Sequence, residues 1–144
     1  MKTKSFLIIL FLLFAILLSG CSGVIPSTGL TGNWTMTNSS GSTYSTAKCY
    51  IVDNSGSLTL NNFYIVNNEY TNWNTGYGTF NGSNITATVN GSYTNIYSQT
   101  VSIVIYFEGT IDSSGIYGSG TWLETETVGG YIFTYSGNTV LVKG

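Results

Sequence analysis

After residue 29 the sequence alternates between apolar and polar residues, and no stretch of it has the period of a helix. Alternation with a period of two places successive side chains on opposite faces, which is typical of a β-strand with one buried face. Short clusters at residues 53–56 (Asp-Asn-Ser-Gly) and 81–82 (Asn-Gly) separate the alternating runs and are typical of hairpin turns. The sequence therefore predicts an all-β domain in which each strand pairs with the next.

The predicted strands are short and numerous. Because every connection is short, eight or nine such strands favour an antiparallel up-and-down meander that closes into a barrel, since closure removes exposed strand edges. A two-sheet β-sandwich is the alternative architecture. We expect residues 30–144 to form this single domain. The strands are expected over residues 30–37, 44–53, 57–66, 75–81, 84–92, 99–111, 115–125, 130–135 and 139–143, with a turn at residues 136–138 (Ser-Gly-Asn).

The start of the chain has a different character. Lys2 and Lys4 precede an unbroken apolar run over residues 6–18, which is shorter than the roughly 20 residues of a membrane-spanning helix and typical of a signal peptide. The run ends in residues 18–21 (Leu-Ser-Gly-Cys), which resemble the lipobox of bacterial lipoproteins. The resemblance implies that residues 1–20 are a cleaved signal peptide and that Cys21 carries the lipid that anchors the protein in a membrane.

The lipobox also implies a location. We expect a lipid-anchored protein of the cell envelope, in the outer membrane if the source is diderm, because Ser22 stands where an Asp would favour inner-membrane retention in that family. Residues 21–29 contain small residues and the only proline, Pro26, and are expected to form the lipidated tether. The remaining thiol, Cys49, alternates in phase with Ala47 and Ile51 and is expected to be a small buried side chain.

Charged residues are scarce, which excludes several functions. The chain has no His, and its four cationic residues are all lysines, so it has neither a Ser-His-Asp triad nor an arginine clamp for phosphate. A sequence pI near 4.7 argues against a nucleic-acid surface. General acid–base groups are nearly absent, and we expect no enzyme activity, no cofactor and no metal site.

The first predicted strand carries a second resemblance. Residues 32–34 (Gly-Asn-Trp) resemble the Gly-x-Trp signature of lipocalins and their calycin relatives, whose eight-stranded barrel encloses a small apolar ligand. The resemblance implies that Gly32 and Trp34 lie at the closed end of a lipocalin-like barrel. It also implies that Trp34 packs under a basic residue of the last strand, which here is Lys143. The corresponding function is binding or carrying a small apolar molecule.

Several aromatic residues are candidates for such binding. We expect Phe107, Tyr131, Phe133 and Tyr135 to point into the barrel, with the two tyrosine hydroxyls orienting a neutral, mostly apolar ligand. Two alternatives remain open. Tyr70, Trp73 and Tyr77 lie among asparagines and threonines, which suits a surface carbohydrate-binding module, although a tryptophan in a loop is more often a lid on the core. A structural or adhesive surface lipoprotein would bind no small ligand.

Glu124 and Glu126 form the one pair of carboxylates on a single predicted strand face. Residues two apart on a strand are roughly 6.5–7 Å from each other, a distance that does not exclude an inverting glycoside hydrolase. Nothing else in the sequence indicates such an activity. We therefore expect the pair to lie on a solvated face near the end of a strand, between Thr125 and Thr127.

Overall fold

The described part of the chain consists of β-strands joined by turns. A computed structural model describes residues 29–144 of the 144-residue chain, so the expected signal peptide, Cys21 and the tether up to residue 28 lie outside the described residues. Within residues 29–144, no helix is long and apolar enough to cross a membrane. The strands are β1 (Gly32–Ser40), β2 (Thr43–Asn54), β3 (Ser57–Ile65), β4 (Asn72–Trp73), β5 (Gly76–Phe80), β6 (Asn84–Thr94), β7 (Thr100–Ile111), β8 (Tyr117–Val128) and β9 (Tyr131–Lys143).

These strands form one antiparallel sheet that closes on itself. The last strand returns to pair with the first, with Trp34 opposite Lys143. Eight strands make the closed ring, and the two-residue β4 is an extra strand along the end of β6. The predicted up-and-down barrel is therefore confirmed. A β-sandwich is excluded because there is a single closed sheet rather than two.

The structure corrects the prediction at the end of the chain. Residues 136–138 are not a turn, and the two strands expected at 130–135 and 139–143 are the single 13-residue β9. Gly137 has another role, because a Cβ at this position would collide with the backbone carbonyl of Ser39 on β1. Glycine therefore permits a close approach of two strands here. The turn between β8 and β9 is made by Gly129 and Gly130, with φ of 56° and 85°.

The closed end of the barrel is sealed around Trp34. This residue is 2% exposed, and its indole Nε1 donates a hydrogen bond of 2.6 Å to the carbonyl of Leu30, which is itself fully buried. The stem of Lys143 crosses the neighbouring Gly32, where a Cβ would lie 2.7 Å from the lysine Cε. The Lys143 Nζ then donates to the carbonyl of Gly29 at 3.0 Å. The chain thus enters the barrel at its closed end.

Apolar residues from the strands other than β8 fill the closed half of the barrel. Cys49 is one of them and is 5% exposed, as the alternation of β2 predicts. Burial raises the pKa of its thiol to about 12, so the thiolate that would react is not formed near neutral pH. The fully buried members of this core include Leu30, Trp34, Ile51, Leu58, Leu60, Ile85 and Leu141.

Candidate functional site

The enclosed part of the barrel is too small to hold a ligand. Its interior cavity measures about 20 Å³, because Met36, Phe63 and Phe107 occupy the space between the strands. Pockets that hold small molecules measure about 300–1,000 Å³. Phe107, expected to contact a ligand, is 5% exposed and packs within this core. A ligand of ordinary size therefore has no place in the closed half.

The opposite end of the barrel is open, and we call it the mouth. Pairing between β1 and β9 begins at Ser39 and Asn138, whereas pairing between β8 and β9 continues to Val128 and Tyr131. The β8–β9 hairpin therefore extends beyond the β1–β2 hairpin, and its inward face is uncovered. Two cavities of about 320 Å³ and 490 Å³ open there.

The smaller mouth cavity is built around Trp122. Asn38 and Trp122 form its floor, and Glu124 and Tyr135 form one wall. Gly137 lies directly opposite Trp122 on β9, and a Cβ there would stand 2.9 Å from the indole Nε1, so the glycine gives the ring its room. Residues with hydroxyl groups complete the rim, namely Ser40, Thr43 and Ser45.

Two buried polar groups close to this cavity have no partner within residues 29–144. The Nε1 of Trp122 is buried and donates no hydrogen bond within the described part of the chain. Thr139, which is 2% exposed and pairs with Asn38, likewise has an unpartnered hydroxyl. A buried donor without an acceptor costs about 1–3 kcal/mol. Both atoms are closed off from solvent, so the fold itself bears this cost.

The larger cavity adjoins the smaller one along β8. Tyr93, Ile103 and Glu126 line its inner side, and the loop between β3 and β4 covers it with Tyr70. Glu124 and Glu126 are neighbours on the same face of β8, so the two cavities lie side by side at the mouth. Together they present aromatic rings, amides, hydroxyls and two carboxylates.

The mouth is electrostatically negative. Burial, followed by the charge of Glu126, raises the pKa of the Glu124 carboxyl group. The pKa of the Tyr93 hydroxyl is also raised, first by desolvation and then by the charges of Glu126, Tyr135 and Glu124. These groups therefore lie close together. Within residues 29–144 the cations lie elsewhere, because Lys143 is bound at the closed end and Lys48 is exposed on β2. Neither of these two lysines neutralises the carboxylates.

The position of the two glutamates corrects the sequence prediction. Glu124 and Glu126 pair with Ile105 and Ile103, which are buried, so the carboxylates face the interior side of β8 and are half-buried rather than solvated. The inward side of β8 is therefore charged at the mouth, whereas the closed half of the barrel is apolar. Among residues 29–144, no group of three or more His, Cys, Asp or Glu lies where it could hold a metal ion.

The other candidate residues are distributed over different parts of the molecule. On β9, the inward face includes Tyr131, Phe133 and Tyr135, but these residues lie beyond the point where β1 pairs with β9. Their side chains are 73%, 47% and 49% exposed. Trp73 packs edge-on against Phe63, with ring centroids 4.9 Å apart, as part of the core wall.

Tyr70 and Tyr77 are not brought together with Trp73 in a strip. Tyr70 lies beside the larger mouth cavity, whereas Tyr77 pairs with Thr88 and is 67% exposed on the outer surface. Sequence reasoning did not select Tyr93 or Trp122 as ligand contacts. The alternation of β8 places Trp122 and Glu124 on the same face of the strand. This shared face was the sequence feature that could have indicated the site.

Replacement of Glu124 by Gln is expected to stabilise the barrel at neutral pH. The raised pKa means that the folded protein binds more protons than the unfolded chain, so the contribution of Glu124 to stability falls as pH rises from about 4 to 7. Gln cannot ionise, and we expect a Tm about 1–3 °C above that of the wild type at pH 7. The difference should disappear near pH 4, as measured by thermal unfolding across this range.

The matched control for that experiment is Glu108→Gln. Glu108 lies exposed on the outer face of β7 and accepts a hydrogen bond of 3.2 Å from the Tyr106 hydroxyl. Its replacement removes the same charge without affecting the mouth. An equal pH-dependent gain in both variants would attribute the effect to net charge and contradict the assignment to Glu124.

Comparison of the chain with protein-family models, curated proteins and solved structures found no match in any of the three. The chemistry of the mouth is therefore the basis on which a function is assigned.

Proposed function

We propose that this protein is a non-enzymatic lipoprotein of the cell envelope that binds a small amphipathic ligand at the mouth of its barrel. The observation that carries the proposal is the cavity of about 320 Å³ that Trp122, Tyr135 and the carboxylate of Glu124 line together. A cavity of this size with a few converging polar groups is typical of small-molecule sites. The filled closed half leaves the mouth as the place for binding.

The residues of the mouth favour a cationic or hydrogen-bond-donating ligand. Within residues 29–144, Glu124 and Glu126 have no cationic partner. They repel an anion, while a positive group would neutralise them. The faces of Trp122 and Tyr135 lie beside these carboxylates and attract a cation as well as an apolar chain. The ligand would place its positive group beside the carboxylates and its apolar part across the exposed ring of Phe133.

The proposed anchor supports an approach of this ligand from water. The lipobox at residues 18–21 implies a lipid on Cys21, and residues 21–29 span at most about 30 Å at 3.3–3.6 Å per residue. Since the chain enters the barrel at Gly29, beside Lys143 at the closed end, the mouth faces away from the membrane. A water-borne amphiphile fits this arrangement better than a lipid drawn directly from the bilayer.

A carbohydrate is the second candidate ligand. The mouth combines Trp122 and Tyr135 with the amide of Asn38 and the hydroxyls of Ser40 and Ser45. Aromatic rings cover the apolar face of a sugar, and amides and hydroxyls bind its edge. This composition, rather than the loop containing Tyr70 and Tyr77, is what favours the sugar.

Binding is tested with ligands that share one chain and differ in head group. We expect the Cys21→Ala protein to bind dodecyltrimethylammonium more tightly than dodecyl sulfate, with a saturable change in tryptophan fluorescence below the micellar concentration. Trp122→Phe should weaken this binding several-fold, because a phenyl ring attracts a cation less strongly than an indole ring does. Dodecyl maltoside and free maltose complete the panel and report on the sugar alternative.

Trp73→Phe is the matched control, since its ring packs in the wall against Phe63 and not in the mouth. It should leave ligand affinity unchanged. Saturable binding of maltose alone would establish the carbohydrate alternative instead. If none of the four compounds produces a saturable change, the ligand-binding proposal is wrong and a structural or adhesive surface protein takes its place.

A further inference from the structure

One stretch of β9 is paired on one side only. Its residues bond to β8 from Tyr131 to Val142, but β1 covers the other side only from Asn138 onward. In the described part of the chain no other strand or loop bonds to the backbone of residues 131–136 along that side. We call residues 131–136 the free edge. Alternate N–H and C=O groups of such an edge are available to another strand.

The free edge lacks the features that normally prevent pairing between molecules. Natural edges are protected by Lys, Pro or bulges, yet residues 129–142 contain no charged residue and no proline. Tyr131, Ile132, Phe133 and Tyr135 are 73%, 67%, 47% and 49% exposed. The residues are β-branched or aromatic on both faces of the strand, which favours addition of a further strand.

The sequence of the free edge is complementary to itself. When two copies of residues 131–135 (Tyr-Ile-Phe-Thr-Tyr) pair antiparallel about Phe133, each Tyr131 lies opposite Tyr135 of the other copy. Phe133 lies opposite its own counterpart, and Ile132 lies opposite Thr134. Three aromatic pairs then share one face, and such cross-strand pairs stabilise a sheet. A twofold axis through Phe133 relates the two copies, so each copy contributes the same residues to the interface.

We propose that the free edge of this protein binds the free edge of a second copy, antiparallel and centred on Phe133. The partner is another copy because no charge opposes pairing of like with like and because the register satisfies both strands equally. In an antiparallel pair the two barrels point in opposite directions. Their closed ends, where each chain enters at Gly29, therefore lie at opposite ends of the dimer.

The contact is small. A whole aromatic side chain has an area of about 150–250 Å². If the exposed parts of Tyr131, Phe133 and Tyr135 were completely covered on both copies, the pair would bury roughly 500–850 Å². Stable interfaces bury about 1,200–2,000 Å². The pair is therefore weak for single molecules and effective between surfaces that carry many copies. With the anchors at opposite ends, those surfaces are two facing membranes, a consequence that rests on the proposed lipid anchor.

The test uses the full lipidated chain with Phe133→Cys in two vesicle populations that carry different epitope tags. Paired strands hold opposite Cα atoms about 4.5–5.5 Å apart, within the range of a disulfide. We expect disulfide-linked dimers between the two tags, formed only after the populations are mixed under mild oxidation. Cys49 is buried, with a thiol pKa of about 12, and gives no background.

Two further variants complete the test. Tyr44→Cys, at a residue 71% exposed on the β1–β2 hairpin, should yield several-fold fewer dimers. Adding Ile132→Lys to Phe133→Cys should abolish them, because it places two cations in the centre of the pair. Both substitutions lie on the surface and leave the core intact.

Each other outcome contradicts part of the proposal. Absence of dimers, or equal dimers from Tyr44→Cys, overturns edge pairing. Dimers within one population only overturn the antiparallel orientation. Failure of the protein to float with vesicles would be a failure of the proposed anchor, and cross-linking of the protein free in solution then tests the edge by itself.

Discussion

Replacing Trp34 with alanine is expected to lower the free energy of unfolding by about 3–5 kcal/mol. The ring is 2% exposed at the closed end of the barrel and contacts the fully buried Leu30. The substitution opens a cavity and also removes the donor that satisfies the Leu30 carbonyl at 2.6 Å. Because a domain is stable by only about 5–15 kcal/mol, a loss of this size brings the barrel close to unfolding.

Urea denaturation of the Cys21→Ala protein measures this loss. Trp34→Phe keeps most of the apolar volume but leaves the Leu30 carbonyl unpaired, so its cost should be smaller, about 1–3 kcal/mol. Tyr44→Ala, at a residue 71% exposed, serves as the surface control and should change stability by less than about 0.5 kcal/mol. A denaturation midpoint for Trp34→Ala equal to that of the wild type would show that the ring does not support the core.

Replacing Cys21 with alanine is expected to move the protein from the membrane fraction to the soluble fraction. The prediction follows from residues 18–21 (Leu-Ser-Gly-Cys), which resemble a lipobox. Each buried CH₂ of an acyl chain contributes about 0.8 kcal/mol, so two chains on one cysteine hold a protein stably and their loss releases it. Fractionation of cells followed by detection of the protein in each fraction measures the change.

Cys49→Ala is the matched control for the anchor. Cys49 is 5% exposed within the barrel and is not available for lipidation. Its replacement should leave the protein with the membranes. Sedimentation of Cys21→Ala with the membranes would contradict the anchor, and the arrangement of facing membranes proposed for the free edge would then lose its basis.

The architecture of the barrel could be predicted because it depends on local pattern. Alternation of buried and exposed residues, as along β7 from Val101 to Ile111, is present in the sequence itself, and so are turns such as residues 53–56 with Asp53 accepting from the Gly56 N–H at 2.8 Å. Residues 136–138 show the limit of this reasoning. A glycine within a strand and a glycine in a turn are alike in sequence, and only the approach of Ser39 to Gly137 distinguishes them.

The candidate site could not be predicted in the same way because it depends on how far each strand extends past its neighbour. Alternation assigns Glu124 and Glu126 to one face of a strand, but it does not say whether that face is the core, the solvent or the mouth. Alternation likewise assigns Tyr131, Phe133 and Tyr135 to the inward face of β9, but it does not show that they lie beyond the part of β9 that pairs with β1.

The sequence by itself thus determined most of the strands and the antiparallel meander, since both depend on residues near one another in the chain, and it predicts the lipid anchor. The tertiary structure alone decided that the closed half is filled, with a cavity of about 20 Å³, and that the β8–β9 hairpin projects beyond β1. Cavity volume and strand overhang arise from the packing and register of strands distant in sequence, and a local pattern contains neither.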